Sequence, residues 1–107
     1  MKKGLLKAND VYEVLVRISD VKVMTYGDIA RALGCPGASR AVGRILNMNP
    51  NPIVVPCHRV VMSNGRIGGY AFGKARKKKL LAKEGLHFAG DSMNDFAKYR
   101  VALEKLH

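Results

Sequence analysis

The chain has 107 residues, a formal net charge of +11 and 48% hydrophobic residues. This length and the interspersed charges predict one globular domain with a single modest core. The sequence has no apolar run near the roughly 20 residues of a membrane span, and its start lacks an apolar stretch typical of a signal peptide. We therefore expect a cytoplasmic protein with no membrane association. The excess positive charge favours a polyanionic partner such as nucleic acid.

Cys35 and Cys57 are the two cysteines of the chain. Without a secretory signal, both are expected to be reduced thiols, not a disulfide. The sequence has no Cys/His cluster with zinc-ligand spacing, so we predict no metal site.

Capping patterns and hydrophobic periodicity predict a mainly helical domain. Thr25 and Asp28 form a capping pattern at the start of the second helix, and Ser92 is predicted to cap the last one. The turn signal Ser63-Asn64-Gly65, between β-prone stretches, predicts a short hairpin close after Cys57. The predicted helices span about 9–19, 25–33, 38–46, 74–84 and 94–106, and the β-prone stretches are 53–55 and 59–62.

The second and third helices, joined by the turn Cys35-Pro36-Gly37, fit a helix-turn-helix in a basic protein. An ordinary helical hairpin would give the same pattern. Base reading in the major groove usually employs long polar side chains, whereas small ones allow a close approach based on shape. The third helix carries four small residues and one long cation: Ala38, Ser39, Ala41, Gly43 and Arg40.

A dense basic run opens the fourth helix, and it is either a solvated face or a phosphate contact. Its members are Lys74, Arg76, Lys77, Lys78 and Lys79.

Pro56-Cys57-His58 follows the apolar run Ile53–Val55 and carries candidate chemistry. A cysteine attacks as the thiolate, and a nearby imidazole lowers its pKa. Neighbours on an extended strand point to opposite faces, so a buried structural thiol at Cys57 is the alternative.

The surroundings of this pair resemble the O6-alkylguanine-DNA alkyltransferases. The resemblance is carried by Asn49–Val61 around the cysteine, with three further motifs in the same order. These are Arg40-Ala41-Val42-Gly43, Gly69-Tyr70 and Leu80-Leu81-Ala82-Lys83-Glu84-Gly85.

The resemblance covers about residues 11–85 of a single alkyltransferase domain, 1–107. It implies a winged helix-turn-helix-like domain with a short β-hairpin near the active-site cysteine. Residues 86–107 form a predicted C-terminal helical extension. The family's usual N-terminal domain is expected to be absent, either by nature or because the chain is a fragment.

The resemblance implies that an alkyl group moves from O6 of guanine in DNA to Cys57, irreversibly and once per molecule. Glu84 would orient His58, and His58, through a water, would take the thiol proton. Asn49 would brace the turn before the active-site segment. Tyr26 would give a proton to the guanine ring as the alkyl group leaves.

The same resemblance implies a monomer that binds double-stranded DNA containing O6-alkylguanine, without a cofactor. The helix at 38–46 would enter the minor groove, and Arg40 would fill the space of the flipped nucleotide. Tyr70, Val60 and Ala71 would form the substrate pocket.

Two departures leave alternatives. Ala71-Phe72 stands where relatives have Ser-Gly or Arg-Trp, so pocket selectivity is expected to differ. The chain is also as short as the alkyltransferase-like proteins, which bind O6-alkylguanine without repairing it and have tryptophan at the position of Cys57. This chain contains no tryptophan. A lesion sensor is the second hypothesis and a plain helix-turn-helix regulator is the third, although a regulator normally needs dimer symmetry.

Overall fold

The computed structural model describes residues 7–19, 21–49, 56–70 and 72–101. The fold is mainly helical, which confirms the predicted class. In chain order the elements are α1 (Ala8–Leu15), β1 (Met24–Thr25), α2 (Tyr26–Ala32), α3 (Ser39–Asn47), a 3-10 turn (Cys57–Arg59), β2 (Val60–Val61), α4 (Lys74–Lys83), β3 (Phe88–Ala89), β4 (Ser92–Met93) and α5 (Phe96–Tyr99).

The first core joins α1, α2 and α3. Helix α1 is shorter than predicted and begins after Lys7 without a side-chain cap, but its apolar face is buried as the periodicity predicts. Helix α3 turns its three apolar residues inward, onto the same cluster. The buried residues of α1, its following turn and α3 are Val11, Val14, Leu15, Ile18, Val42, Ile45 and Leu46.

The capping box at the start of α2 is confirmed. The Asp28 amide donates to Thr25 Oγ1 at 2.9 Å, and the Thr25 amide donates to Asp28 Oδ2 at 3.1 Å. These two bonds satisfy backbone donors that the first turn of a helix leaves without partners. Gly34, with φ +75°, ends the helix and leads through the turn into α3.

The β pairing near the cysteine differs in detail from a simple hairpin. The turn at 63–65 forms, with the Gly65 amide donating to Met62 O at 2.9 Å. However, β2 pairs in parallel with β1, in the register Met24↔Val60. The predicted stretch 53–55 lies outside the described residues.

The predicted helix over about 94–106, capped by Ser92, is confirmed only in part. Ser92 is not a helix cap but lies in β4, which pairs antiparallel with β3, and among the described residues of that range the helix covers Phe96–Tyr99 alone. Asp95 has φ 56° and turns the chain into α5, and Arg100 is extended and bridged to Val23. Long-range strand pairing has thus overridden a local helical pattern. The rest of the predicted helix, 102–106, lies outside the described residues.

The C-terminal hairpin and α4 close a second core, against the outer face of the strands. The buried members of this core are Val23, Val61, Leu81, Leu86 and Met93.

Within the described residues no helix is long and apolar enough to span a membrane.

Candidate active site

Cys57 and His58 lie on the single 3-10 turn that precedes β2, not on an extended strand. Both are buried, with exposed fractions of 5% and 4%. The turn ends where the Val60 amide donates to Cys57 O and the chain becomes extended. On such a turn, neighbouring side chains are not forced onto opposite faces as they would be on a strand.

Glu84 reaches this turn from the C-terminal end of α4. Its Oε2 lies 3.0 Å from His58 Nε2. Arg59 grips the same carboxylate, since its Nη2 donates to Oε2 at 2.9 Å and its Nε donates to Oε1 at 3.1 Å. Arg59 Nη1 also donates to Ile18 O at 2.8 Å, which ties the turn to the end of α1.

Burial sets the charge of the histidine, and the carboxylate sets its tautomer. Burial alone would raise the pKa of Glu84, but hydrogen bonds from Arg59 and His58 outweigh it and hold that pKa below the usual range. Burial also lowers the pKa of His58, despite the opposing attraction of Glu84. A carboxylate only accepts hydrogen bonds, so the neutral imidazole carries its proton on Nε2. Nδ1 is then a lone-pair acceptor, and this buried atom has no hydrogen-bond partner among the described residues.

Cys57 is held as a thiol in the resting protein. Burial raises its pKa, while a hydrogen bond from the Asn49 side chain and the charge of Lys77 oppose the increase. Asn49 is itself buried, directly after α3. A thiol of this kind needs a base at the moment of attack.

Lys77 is the residue that the sequence analysis misplaced. It belongs to the basic run of α4, yet it is fully buried. Its Nζ donates to Ile67 O and, at 3.0 Å, to Gly69 O. Burial lowers its pKa to about 7, although attraction to Cys57 opposes that decrease. Its spacing four residues before buried Leu81 was the available signal, because positions i and i+4 share a helix face.

A cavity of about 130 Å³ opens above Cys57. An apolar cavity of about 150 Å³ can hold a benzene ring, so this space suits one flat ring of similar size. Two tyrosines, Tyr26 and Tyr70, are among its walls. The lining residues are Tyr26, Gly43, Leu46, Asn47, Cys57, Gly69 and Tyr70.

Tyr26 is held tightly against the loop 67–70. Its hydroxyl is hydrogen-bonded to the backbone of Gly69, and its pKa is raised by burial and by Cys57. Gly68 has φ +71°, and a Cβ there would lie 3.0 Å from the Tyr26 hydroxyl. The close approach therefore requires glycine. Tyr70 presents a buried Oη that has no hydrogen-bond partner among the described residues.

A second, more open cavity adjoins the first and is bounded by α3. Ser39, Arg40 and Gly43 line it together with Tyr26 and Gly69. Arg40 is exposed at this mouth, and a Cβ on Gly43 would meet nothing within 4 Å. A small-residue face with one long cation thus borders the entrance.

The remaining predicted site residues do not line either cavity or lie outside the described residues. Ala38 packs on the first core at the start of α3, and Ala41 is half-buried. Val60 is fully buried in that same core. Ala71 lies outside the described residues.

No group of three or more His, Cys, Asp or Glu side chains in the described part of the chain could hold a metal ion. Cys35 and Cys57 are both buried thiols.

Fold and site therefore define a small helix-turn-helix domain with a Cys57-His58-Glu84 site next to α3. The family model for the DNA-binding domain of 6-O-methylguanine DNA methyltransferase matches residues 7–86. The chain belongs to this family.

Two relatives show how much of a longer protein is matched. A methylated-DNA–protein-cysteine methyltransferase of Salmonella typhimurium is 51% identical over 76 residues, which cover 71% of this chain and 44% of the relative. That of Methanosarcina acetivorans is 49% identical over 75 residues, covering 70% and 48%. The chain spans less than half the length of these relatives.

Two solved structures of different chain length are similar to this chain. The Mycobacterium tuberculosis OGT in complex with DNA has a TM-score of 0.72 and 42% identity, covering 76% of this chain and 50% of that one. The S. pombe Atl1, in complex with damaged DNA containing O6-carboxymethylguanine, has a TM-score of 0.76 and 31% identity. There the match covers 88% of this chain and 93% of Atl1.

Proposed function

We propose that this domain repairs O6-alkylguanine in DNA by moving the alkyl group to Cys57, once per molecule. One observation carries the proposal. Glu84 orients the neutral His58 so that the buried Nδ1 is its basic nitrogen. The neighbouring residue, Cys57, lines a cavity about the size of one ring. A nucleophile, a base and an orienting carboxylate are the parts that such a displacement needs.

The step balances as a displacement at the alkyl carbon. His58 Nδ1 takes the proton of Cys57 through one water, and the sulfur forms a bond to the carbon. The bond between that carbon and O6 breaks, and its electron pair remains on the guanine. Tyr26, whose hydroxyl lines the cavity, supplies a proton to the guanine ring. The thioether is stable, so the protein is consumed.

Double-stranded DNA is the proposed partner. Ser39, Arg40 and Gly43 face the open cavity that leads to Cys57, which suits insertion of α3 into the minor groove. The base must leave the duplex to reach the cavity, at a cost of a few kcal/mol, and Arg40 would fill the gap. The net charge of +11 supports phosphate binding, and the OGT and Atl1 neighbours are complexes with DNA. Because DNA is the proposed substrate, we propose an intracellular location, in the cytoplasm.

A lesion sensor is the second candidate. The structural similarity to Atl1, whose structure contains DNA with O6-carboxymethylguanine, supports it. The presence of a thiol beside a poised base at residue 57 favours transfer.

The test is mass spectrometry of the protein after incubation with a duplex containing O6-methylguanine. We expect a gain of one methyl group on the peptide holding Cys57. Cys57→Ala should show no gain, and Cys35→Ala, which removes the other buried thiol, should be methylated like the wild type. Binding of the duplex with no gain in mass would overturn the transfer proposal and leave the lesion sensor.

A further inference from the structure

The C-terminal segment, residues 87–101, lies beyond the family match and yet attaches to both sides of the cavity. Its backbone hydrogen bonds to the rest of the fold fall in two groups, and each group lies next to one part of the cavity lining.

The β3–β4 hairpin of the C-terminal segment is hydrogen-bonded to the loop 65–70, which forms the first wall of the cavity. The Ile67 amide donates to Asp91 O at 2.8 Å, and the Met93 amide donates to Gly65 O at 2.9 Å. The loop continues directly from Ile67 to Gly69 and Tyr70, which line the cavity. The hairpin therefore fixes the base of this wall.

The end of the C-terminal segment pairs in parallel with Val23, next to the second wall of the cavity, which Tyr26 forms. The Val23 amide donates to Tyr99 O at 3.0 Å, and the Val101 amide donates to Val23 O at 2.8 Å. Strand β1 follows immediately and runs into Tyr26, the first residue of α2.

Arg100 strengthens this second attachment with a two-pronged ion pair. Its Nε and Nη2 donate to the two carboxylate oxygens of Asp28 at 2.9 and 2.7 Å. The Asp28 side chain is only 7% exposed, and it also caps the Thr25 amide. Burial alone would raise the pKa of Asp28, but hydrogen bonds from Arg100 and Thr25 hold it below its usual range. Paired N–H donors of this kind fix orientation as well as supplying energy.

We propose that the C-terminal segment sets the spacing of the two cavity walls, and that Arg100 is a positioning residue for Tyr26. Through Asp28, Arg100 holds the first turn of α2, so that the Tyr26 hydroxyl stays against Gly69. The ligand class is an O6-alkylated guanine base, so this inference rests on the lesion binding in the proposed function.

Arg31 offers a matched control on the same carboxylate. It also pairs with Asp28, but from within α2, three residues along. Removal of either arginine takes one positive charge from the protein and one partner from Asp28. Of the two substitutions, loss of Arg100 removes an ion pair between the C-terminal segment and α2, whereas loss of Arg31 removes one within α2.

The experiment uses Cys57→Ala protein, which cannot accept an alkyl group, and compares its affinity for an O6-methylguanine duplex and for the matched guanine duplex. We expect Arg100→Gln to reduce the preference for the lesion about tenfold, because small misplacement of a site can cost up to about 100-fold. Affinity for the guanine duplex should change equally in Arg100→Gln and Arg31→Gln. Arg31→Gln should retain the preference, and Arg100→Lys should recover part of it.

Each outcome decides between the claims. If the Cys57→Ala parent has no lesion preference, the proposed lesion binding fails and the inference fails with it. If the parent has the preference and Arg100→Gln keeps it, or Arg31→Gln loses as much, the positioning role alone is overturned. Amide hydrogen exchange gives a measurement without DNA: Arg100→Gln should speed exchange in residues 23–28 relative to Arg31→Gln, and equal exchange in both would contradict the proposal.

Discussion

The turn that carries Cys57 and His58 lies near two charged groups, a half-buried glutamate and a fully buried lysine, whose surroundings differ. On one side, Glu84 is matched by Arg59 through several hydrogen bonds and by His58 through one. On the other side, Lys77 is fully buried and bonded to the neutral carbonyls of Ile67 and Gly69.

Because their surroundings differ, Glu84 keeps its charge near neutral pH, whereas the charge of Lys77 can change there. Ion pairing outweighs burial at Glu84, so the pKa of that carboxyl is lowered and its charge is retained. Carbonyl dipoles do not outweigh burial at Lys77, so its pKa falls to about 7. The carboxylate side thus orients a base, and the lysine side supplies a positive charge that is partly present at neutral pH.

The largest effect is expected on the carboxylate side. Glu84→Gln keeps the shape but removes the charge that stabilises a protonated His58, so methyl transfer at saturating duplex should slow about 100-fold to 1,000-fold. It also leaves Arg59 without its anion, which should lower the free energy of unfolding by about 2 kcal/mol, since the pair is only partly buried. Single-turnover kinetics and chemical denaturation measure the two changes.

Glu13→Gln, on the exposed side of α1, is the control for Glu84→Gln and should transfer at the wild-type rate. A Glu84→Gln protein that is folded and equally fast would mean that the carboxylate does not assist the histidine.

A smaller effect on transfer is expected on the lysine side. Lys77→Met keeps the apolar stem and removes the charge that favours the Cys57 thiolate. An adjacent opposite charge shifts a pKa by about one unit or more, so transfer at pH 7 should slow about tenfold. The control is Lys22→Met, at an exposed position. Unchanged transfer in Lys77→Met would show that the lysine is only structural.

The same lysine predicts a pH-dependent difference in stability. The folded protein releases the Lys77 proton near pH 7, whereas the unfolded chain keeps it to about pH 10.5. The unfolded state therefore binds more protons between these values, and wild-type stability should rise with pH relative to Lys77→Met. Denaturation at pH 7, 8.5 and 10 measures the free energy of unfolding of both proteins. A constant difference would contradict the lowered pKa.

The sequence predicted the parts of this site that depend on local pattern or on family motifs. The Thr25–Asp28 capping box is a short-range signal and is confirmed. Cys57, His58 and Glu84 were chosen from motifs that resemble a known family, and the structure brings them together.

The rest depended on contacts distant in sequence. Lys77 resembles its exposed basic neighbours, and only the packing of α4 shows that it is buried. Hydrophobic periodicity predicted a helix over 94–106, but α5 is only four residues long and is followed by Arg100, which pairs with Val23. Strand pairing between residues so far apart leaves no local signal.

The central claim is that a neutral His58 presents a basic Nδ1 for Cys57. The most direct measurement is the ¹⁵N NMR spectrum of the imidazoles at pH 7, with His58 assigned by comparison with His58→Gln, since the chain has three histidines. We predict a protonated Nε2 and an unprotonated Nδ1 at pH 7. When the protein is acidified below the lowered pKa of His58, the signal of the unprotonated Nδ1 should disappear because both nitrogens are then protonated. A doubly protonated ring at pH 7, or a proton on Nδ1 alone, would contradict it.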